Sequence, residues 1–207
     1  MIQELKPFIQ QFQTLFIQFK EAVLAFFFKY VPQVFIFSIC SIILEYPTTP
    51  ILQLITGIVF IWYWVYFMHR LHHNIPSTGP FYYFNYHVAI HHAKVKVLPR
   101  PVELMLEAVQ DLVWFFYLYL IQEITNIHIV PNKILLLSAT LFTSVHIITY
   151  SIVGSEKHGL QHLNPDCNFG PDFLDHIFGT NSDDTFEDMT HYIPNTLILA
   201  SLIYYFI

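Results

Sequence analysis

This sequence predicts an all-α integral membrane protein, with about four transmembrane helices and a cytosolic helical cap carrying clustered histidines. Three observations support that expectation. The 207-residue chain, enough for one ordinary domain, is 55% hydrophobic and only 12% charged, about half the charge of a typical soluble protein. Long uncharged runs recur, and nine of the twelve histidines fall in short clusters beside them. The formal charge of -6 comes with no basic stripe, so a nucleic-acid partner is not expected. Cys40 lies in an apolar run and Cys167 in a polar loop, which argues against a disulfide.

Taken in order, residues 1–22 form an amphipathic N-terminal segment. Met1 to Leu15 lacks the basic start and short apolar core of a cleaved signal peptide. A first crossing is expected over 23–45, interrupted by Lys29 and Pro32, and Glu45 to Pro50 turns it into the next. Residues 51–68 carry no charge over eighteen positions, long enough to span. Trp62, Tyr63, Trp64 and Tyr66 crowd the far end of that run, as interfacial aromatics do. A third crossing, 104–123, starts amphipathic and turns apolar from Leu112. A fourth, 134–153, has His146 as its one ionisable group. Residues 183–207 read as a solvated acidic loop followed by an apolar tail that is short for a span.

Four crossings put Lys6, Lys20, Arg70, Lys94, Lys96, Arg100 and Lys157 on one side, with Lys29 near it, and Lys133 on the other. The positive-inside rule makes the first side cytosolic. The same arrangement gathers His69–His73, His87–His92 and His158–His162 there, with His146 just beneath.

Helical residues four apart share a face. His69 and His73, His87 and His91, and His158 and His162 have that spacing, so each pair can grip one metal. His92 points about 100° away from His91 on an α-helix, so it would reach a second metal or meet the first from a helix end. His146 adds a ligand, giving eight candidates, with His72 a spare that could replace or join His73. Eight nitrogens exceed the four that tetrahedral zinc takes and suit two metals with open positions. Iron activating dioxygen fits such a set, and zinc fits the donors too. His128, His176 and His191 are single and are left out of the set. Glu103, Glu107 and Asp111 form an i, i+4, i+8 stripe. A solvated first helical turn is the favoured reading, and carboxylates that orient ligating imidazoles the alternative.

At these residues the chain resembles the fatty acid hydroxylase superfamily, which includes sterol desaturases and sterol side-chain hydroxylases. The resemblance covers about residues 50–182, inside an expected membrane domain of 23–182. His69-Arg70-Leu71-His72-His73 resembles the family's first histidine box, and Arg100-Pro101-Val102-Glu103 its Pro-x-Glu. His162 through Asn168-Phe169-Gly170, then Asp175-His176-Ile177-Phe178-Gly179-Thr180, is similar to the tail of its third box. Three departures stand out: a second box spaced H-x3-H-H instead of H-x2-H-H, Gln161 where a histidine is usual, and Leu174 for tryptophan.

The resemblance implies two non-haem irons facing the cytosol, with Glu103, Gln161, Asn168 and Asp175 as supporting residues. It implies O2 as co-substrate and a fatty acyl or sterol substrate entering from the bilayer. Electrons would come from a b-type cytochrome and its reductase, because the chain shows no flavin, nicotinamide or haem fingerprint. The expected reaction is lipid hydroxylation or desaturation, in the endoplasmic reticulum membrane if the cell is eukaryotic. Two other readings stand beside it: a membrane metal transporter or metal-storage protein, and a non-catalytic relative that keeps the fold.

Overall fold

The computed structural model describes residue 24 and residues 26–207, apart from 77, 84, 94–97 and 184. The 1–22 segment and the charges of Lys6, Lys20, Lys94 and Lys96 lie outside the described residues. The described chain is helical throughout, without a strand.

Helix α1 is Val31–Glu45, and Pro32 in its first turn restarts the helix after the turn at Tyr30. At 15 residues it is shorter than the crossing expected over 23–45. Helix α2, Ile51–Asn74, continues the 51–68 run through the first histidine cluster. Helix α3, Arg100–Thr125, opens with Pro101 and ends where Asn126 adopts a left-handed conformation (φ 55°). Helix α4, Asn132–Val145, runs on through a π-helical stretch, His146–Val153. Among the described residues, three helices are therefore long and apolar enough to cross a membrane: Ile51–Asn74, Arg100–Thr125 and Asn132–Val153.

Two short helices follow, α5 (Glu156–Leu163) and α6 (Asp172–Phe178), and then α7, Tyr192–Phe206. The apolar tail is thus a bundle member, burying Thr196, Ala200 and Ile203 and packing along α1 and α4. The acidic loop is less solvated than expected. Phe186 and Met189 bury against Tyr30, and Glu187 accepts from Tyr150 and Ser155.

The bundle core joins Leu54, Ile58, Ile61 and Val65 of α2 to Trp114 and Leu118 of α3 and Ile134, Leu137 and Leu141 of α4. The outward face of α2 is equally apolar, exposing Leu52, Ile55, Val59 and Phe67, which suits lipid rather than water. Gly57 lets α2 approach the 129–131 loop closely: a Cβ there would meet the Ile129 carbonyl at 3.1 Å. At that end of the bundle Glu45 accepts from the Lys133 amide, and Gln122 clasps Val130 through both its backbone groups. The histidine clusters gather at the opposite end.

Candidate metal centre

The first cluster ends α2. Asn85, fully buried, donates to the carbonyls of His72 and Ile75 and accepts from the Val88 amide, so it ties the end of α2 to the start of the second cluster. That second cluster, His87–His91, is a π-helical turn in which the His92 amide donates to the His87 carbonyl, five residues back. This wider turn brings residues five apart onto one side, which an α-helix does not do. His92 therefore joins His87, and His91 turns to a different set of partners.

Three overlapping groups of ligating atoms result among the described residues: His69, His73, His87 and His92; His91, His146 and His158; and His91, His92 and His162. In the first set His87 Nε2 lies 2.8 Å from His69 Nε2 and 3.2 Å from the Nε2 atoms of both His73 and His92. Across the other two groups, His91, His158 and His162 form a triangle of Nε2 atoms with edges of 2.9, 3.1 and 3.1 Å. Nitrogens about 2.1 Å from a shared ion would show edges near these lengths.

The protons of these rings do not account for the convergence. His69 Nδ1 donates to the Phe169 carbonyl at 2.6 Å, which leaves its Nε2 bare. One proton on His87 Nε2 can serve one of three neighbours. His146 Nε2 is buried 3.3 Å from the Glu107 carboxylate, without hydrogen-bond geometry. Outside the spans, burial and then the neighbouring imidazoles hold His87, His91, His92 and His158 below the usual histidine range. Neutral rings present lone pairs, the form that binds metal. The donor set fits two cations.

The carboxylates Glu107 and Asp111 are buried and belong to this centre, not to a solvated helical turn. His91 Nδ1 meets Glu107 at 3.0 Å, and His146 Nδ1 meets Asp111 at 2.9 Å. Such partners fix the ring orientation and tautomer of a ligating histidine. The i, i+4, i+8 stripe signalled them, but a solvated face shows the same pattern. Glu103, also buried, meets Arg100 at 3.4 Å. His72 turns away from both sets: its Nδ1 bonds the Met68 carbonyl at 2.7 Å, and its Nε2 accepts from Trp114 at 3.2 Å. Trp114, which packs on His69 and His87 as well, carried no signal in the sequence.

Gln161 is fully buried in the first set, with its side-chain nitrogen 3.0 Å from His69 Nε2 and its oxygen buried without a partner. Asn168 and Asp175 act one step back. Asp175 accepts from the Phe169 and Gly170 amides and the Thr180 hydroxyl, holding the loop whose Phe169 carbonyl orients His69. Burial pushes the Asp175 carboxyl up to about 6. Asn168, at φ 56°, donates to the Lys157 carbonyl and the Ser182 hydroxyl and pins the same loop beside α5. The histidines left out of the set lie elsewhere: His128 is 4.0 Å from Glu123, His176 stacks on Phe186, and His191 packs beside Tyr150.

A cavity adjoins the centre. His69, His146, His158 and Gln161 line one part of it, and Phe37, Ile61, Val65, Phe115, Leu141 and Phe142 supply apolar walls. Comparisons with protein-family models, curated proteins and solved structures return no match.

Proposed function

We propose that this protein is an O2-dependent, non-haem diiron lipid hydroxylase or desaturase of the fatty acid hydroxylase type, set in a membrane with its histidine end toward the cytosol. The observation that carries the proposal is the pair of converging Nε2 sets, shared through His91 and His92, beside an apolar cavity. The π-helical turn supports the resemblance too, because it absorbs the extra residue of the H-x3-H-H box and keeps its last two histidines facing separate sets. Arg70, Arg100 and Lys157 belong to the histidine end and Lys133 to the other, in keeping with the proposed orientation. An endoplasmic reticulum membrane fits in a eukaryotic cell.

His69, His73, His87 and His92 would hold one iron, and His91, His146, His158 and His162 the other. When bound, the irons supply dioxygen activation and C–H cleavage, with the overall balance RH + O2 + 2 e⁻ + 2 H⁺ giving ROH + H2O for hydroxylation. The two electrons come from an external donor such as a b-type cytochrome and its reductase. The protein's part is position and exclusion of water. Glu107 and Asp111 hold His91 and His146 in register, and Phe169 aims His69. The walls of α1, α2 and α4 keep a lipid chain dry beside the ligand cluster.

Expression in a lipid-profiled host tests the proposal. Wild type should add an oxidised lipid that His91→Ala and the empty vector lack; identical profiles in all three would overturn it. A metal transporter would line its crossing with donors, whereas the described donor sets gather at one end of the bundle. A non-catalytic relative is favoured by Gln161 alone, and oxygen consumption by the reconstituted, iron-loaded protein separates it from an enzyme.

A further inference from the structure

The cavity beside the metal centre is not uniformly apolar, and its polar groups are unmatched. Gln33 of α1 lines it at 7% exposure, and neither amide atom of its side chain has a hydrogen-bond partner. Ser138 of α4 lines it as well, 7% exposed, with an unpartnered hydroxyl. Ser138 lies eight residues before His146, about 12 Å along the helix axis, so the cavity reaches well into the bundle. Buried polar groups without partners are uncommon and costly. A carboxamide offers one donor and one acceptor side by side, which an alcohol group satisfies at once.

Charge narrows the ligand further. Among the described residues lining the cavity, Lys157 is the only lysine or arginine, and Asp183 already pairs with it at 2.5 Å. Three carboxylates, Asp172, Asp175 and Glu187, line the cavity too. Away from the metal centre an anionic head group would find no unpaired lysine or arginine among these described residues and would face the acids, whereas a neutral one avoids that cost.

We infer that the cavity takes an uncharged, hydroxyl-bearing lipid, recognised at its polar group by the Gln33 carboxamide, and does not take a free fatty acid. This deepens the proposed function and rests on it only where the ligand is identified as the substrate.

Trp62 also lines the cavity, so bromine-labelled ligands can report occupancy by quenching its fluorescence. The protein would be placed in phosphatidylcholine nanodiscs at pH 8 and titrated with 12-bromododecan-1-ol, 1-bromododecane or 12-bromododecanoate, each scaled to its measured fraction in the bilayer. The alcohol is expected to half-quench at a fraction about tenfold below either of the others, the worth of one well-made buried hydrogen bond. Gln33→Met should bring the alcohol level with the bromoalkane. Equal or stronger quenching by the carboxylate overturns the inference, as does Gln33→Met with an undiminished alcohol preference. The ranking of the three ligands on the wild-type protein decides the matter even if the variant does not fold. Iron per chain, measured on the same samples, separates the two proposals. Two irons without a head-group preference defeats the cavity assignment alone. A head-group preference without iron supports the cavity assignment and defeats the diiron reading.

Discussion

His87 Nε2 lies 2.8 Å from His69 Nε2, and both rings are buried. Two neutral imidazoles can share one proton at that distance, but His73 and His92 bring two more nitrogens to the same point. A cation relieves the crowding of lone pairs. We therefore expect His87→Ala to lose about one metal ion per chain while the second set keeps its own, because the second set does not use His87. Metal analysis after desalting checks this, and loss of both ions would show that the sets are not separable.

Glu107→Gln tests orientation rather than ligation. Glu107 touches His91 Nδ1 at 3.0 Å and lies 3.3 Å from His146 Nε2, and it accepts from Ser151. Removing such a partner costs about 10–100-fold in metal affinity. Competition with a chelator would measure it, with helicity by circular dichroism expected to stay at the wild-type level. Unchanged affinity would return the carboxylate to a purely structural role.

Gln161→His should tighten metal binding at the first set, and Gln161→Leu should weaken it. The side chain already sits 3.0 Å from His69 Nε2, so either its nitrogen donates there or, turned over, its oxygen faces the ion. A Mössbauer comparison of iron-loaded wild type and Gln161→His would show one of two iron sites changed. Two unchanged sites would exclude Gln161 from the ligand sphere.

Mild acid should destabilise the histidine end. His87, His91, His92 and His158 have native pKa values below the unfolded value of 6.5. Below that pH the unfolded chain binds more protons than the native one, so stability present above about 6.5 falls as the pH drops through it. Asp175 works in the opposite direction: with its carboxyl raised to about 6, its contribution declines as the pH rises from 3.8 toward 6. Four rings outweigh one carboxyl, so thermal unfolding followed from pH 8 to 5 should show stability falling below about 6.5 while the native rings stay neutral. Stability that rises as the pH falls through that window would contradict the burial of these rings.

The three long helices were legible in the sequence because an uncharged run of spanning length has few other uses. The first crossing is seen only in part, since α1 has 15 residues from Val31 and residues 23 and 25 lie outside the described residues. His69, His73, His158 and His162 were readable from α-helical spacing. The separation of His91 from His87 was not, because it depends on a π-helical turn and the sequence reading assumed an α-helix. Glu107 and Asp111 were seen but assigned to solvent, since burial of a polar stripe is decided by what packs against it. Trp114 looked like any other lipid-facing aromatic until the fold set its ring against three histidines.

The bond from His69 to Phe169 joins residues 100 positions apart. During synthesis the first histidine cluster leaves the ribosome long before the loop that aims it, and that loop in turn waits for Asp175 and Thr180. A nascent chain stopped short of that point carries His69 without the carbonyl that directs it. Premature metal capture would then meet a loose, exchangeable site, and the finished centre would close only once the 169–180 loop has been made.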